Sequence, residues 1–186
     1  MLPGHPALLF VASAAIIHLG LYPAWKPFGP SYDRAIAAVY MRIAPVLEEP
    51  LMTDSIETIG IEGGSLIRRI RCRTAKGDSF TTSTDYPYLD MPILLALTLA
   101  SPGISWLSRG RIVAIGAALL AVTDLAHLAI LIRVAYFSHG ALRSGFPGPL
   151  LADSARSVLN SDVMILLPFV VWGALYLRER RRIDES

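Results

Sequence analysis

Four stretches of the chain, residues 7–25, 91–108, 112–137 and 163–177, are apolar and carry almost no charge. Each comes near the roughly 20 apolar residues that a helix rising 1.5 Å per residue needs to cross a hydrocarbon core. No other feature constrains the chain as strongly, because a backbone in lipid must satisfy its hydrogen bonds inside helices or closed barrels. Hydrophobic residues make up 53% of the sequence, a share that favours lipid as the solvent for much of it. The pattern predicts a membrane α-helical protein with four transmembrane helices and a small extracytoplasmic α+β insert.

The expected organisation runs from a first transmembrane helix (1–25) through the insert (26–90) to a second transmembrane helix (91–108). A cytoplasmic turn and third helix (109–137), an extracytoplasmic loop (138–161), a fourth helix (162–178) and a cytoplasmic tail (179–186) follow. The first segment reads as an uncleaved anchor, since residues 1–6 hold no Lys or Arg and Leu21, Tyr22, Pro23 and Ala24 form no A-x-A cleavage site. In the second, Pro102-Gly103 is expected to kink or loosen the last turns. Arg109 and Arg111, and Arg178, Arg180, Arg181 and Arg182, place their segments in the cytoplasm by the positive-inside rule, and with them both termini.

Within the insert, Ile36, Val39, Tyr40, Ile43, Val46 and Leu47 recur near helical spacing, with Asp33, Arg34 and Arg42 elsewhere and Pro45 as an expected kink or break. This helix either lies on the membrane surface or packs as core. Two strand-like runs flank Gly63-Gly64, which suits a two-residue hairpin turn. With Glu62 opposite Ser65, one face carries Ile59, Ile61, Leu66, Ile70 and Cys72 inward, and the other Arg69, Arg71 and Arg73 with Ile67. Lys76-Gly77-Asp78 turns into a third strand over 79–84. The three arginines are either a surface for anionic lipid or an acidic partner, or a solvated strand face. Cys72 beside these cations suits a lowered thiol pKa or, on the apolar face, a buried structural role.

Ionisable residues at membrane depth mark candidate sites. Asp124 and His127, three apart on one helix, share a face, and the carboxylate would orient the imidazole. Arg133 is out of phase with them and is expected to snorkel outward or to meet Asp162. His18 and His127 sit about 10 and 15 Å in from their helix ends. Opposed at similar depth they would ligate haem, a pigment or another cofactor; otherwise they hydrogen-bond between helices, or belong to a proton or solute path.

The net charge of +2, with no long basic run, gives nucleic-acid binding no footing, and the single cysteine rules out an intrachain disulfide or a CxxC metal site. No Ser-His-Asp, HExxH, phosphate-loop or dinucleotide pattern stands where catalysis would need it.

The stretch YLDMPILLALTLASPGISWLSRGR, with Tyr32 and Arg34 opening the amphipathic segment and a Gly-Pro-rich outer loop, resembles the small integral membrane proteins encoded beside exosortases. Exosortases are membrane transpeptidases that carry Cys, Arg and His in their helices, whereas Cys72 lies in the insert and lacks the Cys-Ser-Gly context. The resemblance implies a non-catalytic accessory subunit in a bacterial inner membrane, whose partners are the lipid bilayer and another integral membrane protein.

Overall fold

In the computed structural model of the chain, the described residues are 6–47, 52–62, 65–73, 77, 79–86, 90–138 and 163–185. Their elements are α1 (Pro6–Trp25), α2 (Gly29–Leu47), β1 (Met52–Glu62), β2 (Ser65–Arg73), β3 (Ser79–Tyr86), α3 (Asp90–Ala100), α4 (Trp106–Ser138) and α5 (Val163–Asp184). They form two units. The first holds Met1–Pro27, Leu89–Ala121 and Ile165–Ser186, and the second Phe28–Tyr88 and Val122–Met164, so α4 contributes to both.

The expectation of four crossings is overturned. Among the described residues, two helices have the length and apolarity to cross a membrane, α1 and the 33-residue α4. Helix α3 has 11 residues and falls short. It stops because Ser101 leaves the helix and Gly103 takes φ +70°, a conformation that glycine adopts without the Cβ clash. Pro102-Gly103 is therefore a helix terminator and not a kink inside a span. Helix α5 continues beyond its apolar stretch through Arg178, Glu179, Arg180, Arg181, Arg182 and Asp184, which leaves too little uncharged length to cross.

In the first unit α1 packs on α3, and Phe10 of α1 stacks on Trp172 of α5 with centroids 5.2 Å apart. The turn after α3 is fastened by one face of α5, on which Trp172, Tyr176 and Arg180 recur every fourth residue. Trp172 Nε1 donates to Ser101 Oγ at 2.9 Å, Tyr176 Oη to the Pro102 carbonyl at 3.2 Å and Arg180 to the Gly103 carbonyl at 3.2 Å. Ser101 Oγ in turn donates to the Leu97 carbonyl, and Arg109 donates to the Ser101 carbonyl at 2.9 Å while lying over the Trp106 ring. These bonds satisfy the Leu97 carbonyl in the last turn of α3 and the carbonyls of Ser101, Pro102 and Gly103 in the turn that follows. Gly116 of α4 lies so close to the buried Leu94 that a Cβ there would fall 2.8 Å from its Cδ2.

The second unit is a three-stranded antiparallel sheet in the order β1-β2-β3, with α2 packed on β1. Here the structure stays close to the expected insert: a helix followed by a hairpin with Glu62 opposite Ser65, and a third strand. Pro45 does not break α2, which runs on to Leu47. The buried stripe of α2 is Asp33, Ile36, Ala37, Tyr40 and Ala44, while Val39 and Ile43, expected on the apolar face, are exposed. Two register shifts make Asp54 and Ile59 the extra residues of β1. The second shift turns Ile59 out to 53% exposure, against the expectation that it packs inward. The side chains of Ile61 and Leu66, the Gly63-Gly64 turn, Lys76, Asp78 and the 139–161 loop lie outside the described residues. The far end of α4 closes the sheet. Phe80 meets Tyr136 edge-on at 5.1 Å, and Tyr136 Oη donates to the Arg73 carbonyl at 3.2 Å.

Candidate functional site

Strict alternation along β2 places Arg68, Ile70 and Cys72 on the inner face, and all three are completely buried. A buried guanidinium is costly unless a carboxylate and hydrogen bonds meet it. Asp33, the one acid on the buried stripe of α2, meets this need. Arg68 Nε donates to Asp33 Oδ1, and its terminal nitrogen pairs with the same oxygen. Thr58 Oγ1, carried opposite Arg68 by the second bulge of β1, donates to Asp33 Oδ2 at 2.5 Å. Both carboxylate oxygens are thus engaged, and the one carboxylate ties α2 to β2 through the ion pair and to β1 through Thr58.

The preceding residue of α2 extends the cluster to α4. Tyr32 Oη donates to Asp124 Oδ2 at 2.6 Å. Asp124 and His127 share the buried face of α4 with Leu128, Leu131, Ile132 and Ala135, the stripe expected of a helix packed on one side. The pair that the sequence places at membrane depth is therefore enclosed by the second unit's own protein. Arg133 is half-buried on the same helix, and its expected partner Asp162 lies outside the described residues.

His18 is half-buried on α1 in the first unit and His127 belongs to the second, so each is read within its own surroundings. Among the described residues, no three His, Cys, Asp or Glu side chains converge as a metal site. Cys72 forms no disulfide and is buried with Ile70 on the inner face, opposite the exposed arginines.

Arg69, Arg71 and Arg73 project from the opposite face and are exposed, as the alternation predicts. Their ladder partners differ. Arg69 lies between Glu57 and Ser83, Arg71 between Ser55 and Thr81, and Arg73 between Met52 and Ser79. The bulged Asp54 reaches the Arg73 guanidinium at 3.2 Å.

One further buried acid was not singled out by sequence. Asp90, the first residue of α3, is 5% exposed, and no hydrogen bond reaches either carboxylate oxygen among the described residues. Burial pushes its carboxyl up to about 7. A helix N-terminus favours the ionised form, but here desolvation outweighs it.

What sequence reasoning missed is the Arg68–Asp33 pair. A signal was available: Arg68 is the lone cation in an otherwise apolar alternation, and Asp33 falls in register with Ile36, Tyr40 and Ala44. Each would have predicted that the other exists.

Against family models, curated proteins and solved structures, the chain shows no match.

Proposed function

We propose that the protein is a non-catalytic accessory subunit of a bacterial inner-membrane complex, anchored through α1 and presenting the α+β insert outside the cytoplasm. The observation that carries this reading is the surface of α1. Leu8, Leu9, Val11, Ile16 and Leu19 are each more than 60% exposed, and Ala14 is the helix's one buried residue. A helix that is apolar all round belongs in a core or in lipid, and here, beyond the contacts with α3 and Trp172, the described residues leave most of its surface uncovered. The 106–121 half of α4 adds Trp106, Leu107, Ile115 and Leu119 to the exposed apolar surface. Positive-inside bias at Arg178 to Arg182 favours the C-terminus in the cytoplasm.

A binding role fits the polar residues better than a reaction does. Asp33, Arg68, Thr58, Tyr32 and Asp124 spend their hydrogen bonds on one another, which rigidifies the insert. The likeness to proteins encoded beside exosortases supports a partner in membrane protein sorting. The test is photo-crosslinking in intact cells from Ile16 and Leu19 in α1 and from Arg69 on the insert. The expected result is the same integral membrane protein captured from both regions. A protein that yields only lipid adducts, and that elutes from mild detergent as a lone monomer, would sink the accessory role while leaving the anchor standing.

A further inference from the structure

The outer face of the sheet offers more than scattered positive charge. Alternate residues on a strand recur about every 6.6–6.8 Å on one face, so Arg71 and Arg73 stand side by side. The ladder places Ser55 and Thr81 next to Arg71, and Ser79 next to Arg73. These groups line a depression of about 850 Å³, large enough for a phosphorylated small molecule or a headgroup and not only for an inorganic ion. Gly77, at φ +88°, adds no side chain to the rim, and no described residue lies within 4 Å of where its Cβ would be.

The charge pattern selects the ligand's sign. Among the described residues that line it, two guanidiniums face one carboxylate, and that carboxylate, Asp54, is already held by Arg73 at 3.2 Å. Asp54 engages one terminal nitrogen of Arg73, whose side chain stays 56% exposed. No ion pair reaches Arg71 among the described residues. A pair of guanidinium forks flanked by hydroxyl donors suits an oxyanion with three or more terminal or bridging oxygens better than a carboxylate with two. Arg69 provides an internal contrast, because Glu57 faces it across the ladder and it does not line the depression.

We propose that Arg71 and Arg73, with Ser55, Ser79 and Thr81, form a binding site for a phosphate ester, either a lipid headgroup or a soluble phosphorylated molecule. The site goes beyond the accessory role and does not depend on it, since it rests on the sheet's outer face and not on α1. Neutralising Asp54 strengthens it by releasing Arg73, and salt weakens it.

The experiment follows the arginine Nε–H signals of the full-length protein by nuclear magnetic resonance. Nonionic micelles are titrated with inorganic phosphate and with glycerol 1-phosphate, and nanodiscs of phosphatidylcholine are compared with nanodiscs containing phosphatidylglycerol. The expected result is a saturable shift confined to Arg71 and Arg73. Arg71→Gln should weaken it by about tenfold or more, the loss expected for a charge-assisted fork. Arg69→Gln should leave it within about twofold, as a screened neighbour does, and Asp54→Asn should tighten it. A shift with glycerol 1-phosphate in micelles identifies a soluble ester, and one seen only with anionic nanodiscs identifies a headgroup. Absence of saturable shifts under every condition would overturn the site, as would equal losses in Arg69→Gln and Arg71→Gln. Since the three substitutions are on an exposed face, unchanged inner-face signals serve as the folding control.

Discussion

Asp33 and Arg68 hold opposite charges at a place where neither would survive alone. With Arg68 fully buried and Asp33 at 2% exposure, removing the carboxylate leaves a cation without compensation, a loss of about 3–5 kcal/mol in comparable buried pairs. Asp33→Ala should therefore destabilise the insert by about that amount. The double substitution Asp33→Leu with Arg68→Met should recover most of the loss, because replacing both partners by apolar groups is often close to neutral. Chemical denaturation in detergent of the unaltered protein, of Asp33→Leu and Arg68→Met singly, and of the double variant closes the cycle. Additive effects would show that the ion pair is not the link between helix and sheet. Legibility at this level divides cleanly. Alternation alone placed Arg69, Arg71 and Arg73 outside and Ile70 and Cys72 inside. That Asp33 answers Arg68 was hidden by the 35 residues separating them, and Ile59 was misplaced because an inserted bulge residue breaks the period of two.

Among the elements, α3 and α4 carry two expectations of their own. Asp90 begins α3 with its carboxyl raised to about 7 by burial, from 3.8 in the unfolded chain. A raised folded pKa means that the folded form holds the proton more tightly. The associated stability is full below pH 3.8 and is lost as pH rises through about 7. Thermal unfolding of the detergent-solubilised protein should thus show a lower midpoint at pH 8.5 than at pH 5.5, and Asp90→Asn should flatten that difference; an unchanged pH profile in the variant would refute the assignment. In α4, Gly116 sits where a Cβ would fall 2.8 Å from Leu94, which is itself fully buried and has little room to yield. Gly116→Leu should cost on the order of 1–3 kcal/mol by overpacking, measured in the same unfolding assay. Gly110, with nothing within 4 Å of its Cβ position, should tolerate alanine. Hydropathy found these helices but not where they end. The φ of Gly103 and the hydrogen bonds from Trp172, Tyr176 and Arg180 stop α3 early, and such long-range partners leave no periodic trace in a sequence.

For the molecule as a whole, the two units divide the labour that four uniform spans were expected to share. The second unit encloses its own polar residues, Asp124 and His127 among them, and packs α2 and the 122–138 half of α4 on the inner face of its sheet. The first leaves most of α1 exposed, with Ala14 its one buried residue. That exposed apolar helix is the reason for assigning the protein to a membrane, and it can be tested without a partner, a ligand or a variant. Cells expressing the full chain, tagged at the C-terminus, are lysed and their membranes washed with alkaline carbonate. Integral insertion through an uncleaved α1 requires that the protein stay in the membrane pellet with a mass that includes residues 6–25. Release into the carbonate supernatant, or a mature chain beginning after Trp25 and free of the membrane, would contradict it.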